Sequence, residues 1–185
     1  MKILALFITT LFGFLLSTLV LAQDEPAKNE AGIVLVATGK VYAVNGGNER
    51  VLKGGSIFYE KDTIKTESDS ATQLQFKDGA LVSLSEKSIY LINQYHYQAS
   101  TAEDKSFTEL IKGMLRSVTG SIGKNNPQAY GVKTSALTLA VRGTDFRLYV
   151  DDNQHVWAAV SSGGIRISNS AGTLDLGKDV SFSYA

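Results

Sequence analysis

The sequence predicts an all-β fold: a single domain of many short strands, arranged as a β-sandwich or a solenoid-like roll of hairpins. Three observations predict it. Apolar residues recur mostly with a period of two after residue 31. Gly, Asn and Asp punctuate these runs every several positions. The composition holds 17 Gly and 8 Tyr against only two Pro, which suits strands and tight turns.

The elements follow in chain order. Ile33 to Val44 reads as a strand pair or one long strand with Gly39 as a bulge, and Asn45-Gly46-Gly47-Asn48 as a turn. Thr72 to Phe76 alternates polar and apolar; Asp78-Gly79 follows, then Leu81, Val82 and Leu84. An Asp-Gly pair between such runs predicts a hairpin, because the favoured turn needs a positive φ that Gly supplies. Ser88 to Tyr97, Leu137 to Val150, Val156 to Val160, Ile165 to Ile167 and Leu174 to Phe182 complete the expected strands, roughly ten to thirteen in all. Ser106 to Met114 is the one helix candidate, weakened by Gly113. Gly120-Ser121-Ile122-Gly123-Lys124 lacks the spacing of a phosphate-binding loop and reads as a turn.

The chain has 185 residues, with 18 basic side chains balancing 18 acidic ones and no Cys. No disulfide framework, thiolate metal site or cysteine nucleophile exists. A neutral chain offers nucleic acid no bulk attraction. Residues Met1 to Ala22 read as a secretory signal: Lys2, an apolar run from Ile3, then Val20-Leu21-Ala22 as the cleavage pattern. The rival is an uncleaved anchor. Residues 23–31 form a flexible leader and residues 32–185 the domain. The expected compartment is the periplasm, with cell-surface or secreted placement as alternatives and no stable membrane insertion after cleavage.

Residues quoted along the domain resemble a known family. They are Leu52-Lys53-Gly54-Gly55-Ser56, Asp62-Thr63-Ile64-Lys65-Thr66, Leu74-Gln75-Phe76-Lys77-Asp78-Gly79-Ala80, Leu110 to Arg116, Tyr130 to Thr134 and Ala140-Val141-Arg142-Gly143-Thr144-Asp145-Phe146. The Val-Arg-Gly-Thr-x-Phe string is the most specific of them. In that order they resemble the FecR domain of bacterial periplasmic proteins. In name-giving members of the family the domain is the periplasmic half of a signal transducer. A cytoplasmic anti-sigma segment and a membrane helix precede it, and the signal comes from an outer-membrane iron-siderophore transporter. Here only Met1 and Lys2 precede the apolar run, so the anti-sigma role is not expected to carry over. Ser56 also departs from a position that is often acidic in the family. What the resemblance implies is the fold, export, and a role in binding, scaffolding or signal sensing.

Asp78, Gly79, Val141, Arg142, Gly143, Thr144 and Phe146 are expected to be structural. Arg142 interrupts a core-like run, so it is expected to be buried, with its donors on backbone carbonyls or Asp145. Tyr95 and Tyr97 with Trp157 form a candidate aromatic binding surface. Asp151-Asp152-Asn153 reads as a solvated hairpin turn in preference to a calcium loop. No catalytic string, metal site or cofactor site is recognisable. The expected function is a non-enzymatic envelope module whose partner is a protein or polymer, not nucleic acid. The alternatives are an envelope polysaccharide-binding protein and a small outer-membrane β-barrel, and the barrel would need long lipid-facing strands.

Overall fold

The computed structural model describes residues 28–99 and 102–184; the expected signal, residues 1–22, lies outside them. Fourteen strands pair into one sheet: β1 (Glu30–Thr38), β2 (Val41–Asn45), β3 (Asn48–Val51), β4 (Ile57–Tyr59), β5 (Thr63–Thr66), β6 (Ala71–Phe76), β7 (Leu81–Leu84), β8 (Ile89–His96), β9 (Lys105–Val118), β10 (Tyr130–Lys133), β11 (Thr138–Val150), β12 (Val156–Asn169), β13 (Gly172–Leu176) and β14 (Ser181–Tyr184). One short helix, α1 (Ser121–Asn125), and a 3-10 turn (Pro127–Ala129) link β9 to β10. Strand β1 begins at Glu30, two residues before the expected start of the domain, and Ala31 is already in the core.

β9 is the spine. Its first half pairs with β8 and, in parallel, with β10; its second half pairs with β7 and β11. Two arms leave it: β7-β6-β1-β4 and β8-β5-β2-β3. The chain passes repeatedly between the arms, and their apolar faces meet. Phe76 of one arm lies 5.2 Å, ring to ring, from Tyr95 of the other, and Phe58 stands edge-on to Phe76 at 5.0 Å. That is the enclosed core expected of a sandwich or roll. Among the described residues β3, β4, β13 and β14 each pair on one side only, so the sheet is open there and lacks the closure that a barrel needs.

Three strands are longer than the sequence pattern implied, and one cause accounts for all three. β9 buries Ser106, Thr108 and Leu110, then Leu115 and Ser117. β11 buries Leu139 and Val141, then Thr144, Phe146, Leu148 and Val150. β12 buries Val156, Ala158 and Val160, then Ile165 and Ile167. Each changes from one parity to the other at a glycine with positive φ: Gly113 (90°), Gly143 (61°) and Gly163 (81°). A one-residue bulge does this, turning every later side chain to the other face. It also explains the false helix. In β9, Phe107, Leu110, Ile111 and Met114 fall three and four apart, and this comes from a strand that switches faces.

The turns behave as their residues require. Gly46 and Gly47 both have positive φ in the two-residue β2–β3 hairpin. Gly39 turns the chain from β1 into β2, which belong to different arms, so it is a corner and not a bulge. Asp78-Gly79 lies in the β6–β7 hairpin, with a loop of four residues, 77–80.

Candidate binding face

The residues expected to be structural form two buried hubs. Asp78 is the first. Its Oδ1 accepts from the Ala80 N–H (3.2 Å) and its Oδ2 from the Ile122 N–H (3.2 Å). The Asp78 N–H donates to the Tyr95 hydroxyl (2.9 Å), and the Asp78 carbonyl accepts from the Ser121 N–H (2.9 Å). One residue thus joins the β6–β7 hairpin, strand β8 and the start of α1. Gly120 is where the hub is tightest: a Cβ there would lie 2.4 Å from Asp78 Oδ2 and 2.5 Å from the Ala80 nitrogen. Burial raises the Asp78 carboxyl above the usual carboxylate range; the backbone donors only partly offset it. Burial likewise pushes the Tyr95 phenol up. α1 replaces the expected turn at Gly120–Lys124, with Ile122 in the core.

The second hub is the Val141–Phe146 string. Val141 and Phe146 are core residues on either side of the β11 bulge. Thr144 locks the bulge. Its N–H donates to Thr119 Oγ1 (2.6 Å), its carbonyl accepts from the Thr119 N–H (3.1 Å), and its hydroxyl donates to the Gly164 carbonyl (2.7 Å). Gly163 faces it, and a Cβ there would lie 2.6 Å from the Gly143 carbonyl oxygen. Arg142 corrects the expectation. It is exposed and makes no hydrogen bond or ion pair with a described residue. The bulge turns it outward, and Asp145 pairs instead with Arg116, bidentately, at 3.0 and 2.7 Å. Arg116 holds the Asp145 carboxyl below the usual range. The lock is a threonine, not an arginine.

The expected aromatic surface is corrected too. Tyr95 is buried against Phe76 and Asp78, so it cannot offer a face to a ligand. Tyr97 is half-buried against the core. Trp157 is exposed on β12, outside the β8 arm that holds both tyrosines. Its neighbours are others. In register across the sheet come Met114 on β9, Tyr149 on β11 and Trp157 on β12, each about two-fifths exposed (41, 39 and 40 %). Tyr149 and Trp157 lie 5.3 Å apart at 33°, and His155 stands edge-on to Trp157 at 6.0 Å.

The next row up the sheet is Gln73, Ser83, Arg116, Arg147 and Ala159. These rows floor two concavities of about 320 and 450 Å³. Met114 and Arg147 line both, so the two concavities lie side by side along one grooved face. Phe182 of β14 closes the aromatic end. Sequence reasoning missed Met114, Arg147 and Tyr149. Tyr149 and Trp157 were pairable, because they stand symmetrically about the Val150–Val156 closure of the β11–β12 hairpin.

A larger polar concavity, about 580 Å³, lies where Asn29, Glu60, His96 and Lys105 meet the 3-10 turn. His96 Nε2 is buried there without a partner among the described residues. The described residues hold no cluster of three metal-ligating side chains, and no helix among them is long and apolar enough to cross a membrane. Asp151 organises the β11–β12 turn: its carboxylate accepts from the N–H groups of Asn153 (2.9 Å) and His155 (2.8 Å).

The chain was compared with known proteins. The family described as FecR protein matches residues 62–166, more than half of the chain, and spans both hubs and the Tyr149–Trp157 pair. Comparison with curated proteins found no match. Two crystal structures, at 1.65 and 2.50 Å resolution, of a protein from Parabacteroides distasonis ATCC 8503 described as a candidate anti-sigma factor are similar in fold. Identity is 13 and 14 %, with a TM-score of 0.51 in both. The alignments cover 66 % of this chain and 58 % of the length of those structures. At that identity the likeness concerns the fold alone. The sequence string, the bulge it builds and the family match agree: the chain belongs to the FecR family.

Proposed function

We propose that this domain is a non-enzymatic module of a signalling or regulatory system at the bacterial cell envelope. It acts by binding a protein partner through the groove floored by Met114, Arg147, Tyr149 and Trp157. Membership in the FecR family supports the regulatory role and the periplasmic setting. The observation that carries the binding face is the exposed Tyr149–Trp157 pair set in a groove with Met114 and Arg147. Trp, Tyr, Met and Arg are the side chains enriched where proteins meet.

The test is photocrosslinking in intact cells. A photoreactive residue replaces exposed Ser181 at the groove rim, with a control at Lys65 on the other arm. A discrete protein adduct from the rim, absent at Lys65 and lost in a folded Tyr149→Ala/Trp157→Ala variant, is expected. Equal adducts from both positions, or an adduct that survives the double variant, overturns the reading.

A further inference from the structure

The groove carries a net positive charge, and that charge bears on the chemistry of what it binds. Among the described residues lining the two concavities, Arg116 and Arg147 are the only charged ones. They face each other directly across β9 and β11. Like charges in opposite cross-strand positions are destabilising. One carboxylate stands beside them, Asp145, and Arg116 takes both its oxygens. Arg147 makes a single neutral hydrogen bond, donated to the Ser161 hydroxyl at 3.3 Å, and has a weaker electrostatic attraction to Asp145 than Arg116 has. Two guanidinium groups therefore share one carboxylate, which leaves a net positive charge, and Arg147, the less fully paired of the two, lines both concavities.

A guanidinium is a rigid fork that matches a carboxylate bidentately. Arg147 is adjacent to an apolar wall made by Met114, Tyr149, Trp157 and Phe182. We infer that the partner is a protein segment that seats an apolar side chain against that wall and lays an Asp or Glu carboxylate on Arg147. This rests on the groove being the contact face, as proposed above. A protein fits better than the other anionic polymers. A nucleic acid is held by many phosphate contacts, and one spare cation is too few. A sugar ring needs a free aromatic face, but Trp157 has Tyr149 along one side and His155 against another.

The chain has a single Trp, and it stands in this groove, so its fluorescence reports the site directly. A displayed library of random short peptides would be selected on the full chain and counter-selected on Trp157→Ala. Selected peptides should carry Asp or Glu beside an aromatic or branched apolar residue and should shift the Trp157 emission. Replacing that acidic residue by its amide should weaken binding about tenfold, the scale of one charge-assisted pair. Arg147→Gln should weaken the acidic peptide equally, leave the amide peptide unchanged, and keep the far-ultraviolet circular dichroism of the parent. Acidic and amide peptides binding alike would overturn the carboxylate assignment and leave the groove as a contact face. Peptides that never move the Trp157 emission would overturn the contact face itself. Polygalacturonate producing an Arg147-dependent shift that the peptides lack would transfer the site to an acidic glycan.

Discussion

Removing the Asp78 carboxylate should be among the most damaging single changes available in this domain. In Asp78→Ala, the Ala80 and Ile122 N–H groups lose their acceptor in a place closed to water, since Asp78 is only 6 % exposed. Each buried donor left without a partner costs roughly 1–3 kcal/mol, so the pair costs about 2–6 kcal/mol. The backbone bonds from Asp78 itself, to Tyr95 and Ser121, survive the substitution and keep the loss below the upper end. For a domain of this size about 1 kcal/mol moves Tm by roughly 2–4 °C. The expected drop is then about 4–20 °C in a thermal melt followed by far-ultraviolet circular dichroism. A drop of less than about 2 °C would refute the argument, because it would mean that both N–H groups find water or another acceptor.

Asp78→Asn separates hydrogen bonding from charge. Burial raises the Asp78 carboxyl in the folded state above its unfolded value of 3.8. The folded protein therefore holds the proton more tightly than the unfolded chain does. That preference contributes stability below the unfolded value and is lost as pH rises through the folded one. Asn has no proton to lose. Stability of the wild type measured relative to Asp78→Asn should therefore be greatest in acid and decline toward neutrality. Comparing the two proteins cancels other carboxylates, such as Asp145, that lose stability in acid. A difference that grows toward neutral pH would contradict the direction of the shift.

Two further substitutions probe the bulges. Gly163→Ala adds a Cβ 2.6 Å from the Gly143 carbonyl oxygen at a φ of 81°, so it should cost about 2–4 kcal/mol by chemical denaturation and accelerate exchange of the Thr144 amide. Arg142→Lys should change stability by less than about 0.5 kcal/mol, as expected for an exposed side chain without a partner; a loss above 2 kcal/mol would restore the buried-lock reading.

The fold class was legible because period two and Gly-bearing turns are local signals. Asn45-Gly46-Gly47-Asn48 and Asp78-Gly79 stand at hairpins. Strand length was not legible. β9, β11 and β12 change parity partway, and a window that tests for one period reads such a strand as two short ones or, in β9, as a helical stripe. The burial of Arg142 was misjudged for the same reason: counted from Val141 without a bulge, its surroundings look like core. The Asp62 cluster gave no sequence signal either. That fully buried carboxylate accepts from Arg50, Asn45 and the Tyr59 N–H, partners brought in by the packing of β2, β3 and β4. The groove was half legible. Tyr149 and Trp157 come together by hairpin symmetry, whereas Met114 and Arg116 reach them only because β9 runs beside β11, a pairing of distant segments with no local trace.

The bulges also tie the string that marks the family to the face proposed to bind. Before Gly143, β11 turns its odd-numbered residues inward; after it, the even-numbered ones. Phe146, Leu148 and Val150 thereby enter the core, and Asp145, Arg147 and Tyr149 are left on the outer side. Gly163 resets β12 in the same way, which lets Trp157 stand outside while Ile165 and Ile167 pack within. Gly113 does so for β9 and brings Met114 and Arg116 outward. Undoing one bulge would bury Arg147 and Tyr149 and expose Phe146 and Leu148, a change that no partner could offset. Arg142, Gly143 and Thr144 therefore need not touch a ligand to govern recognition. They set the parity of the strand, and the parity selects which side chains form the groove.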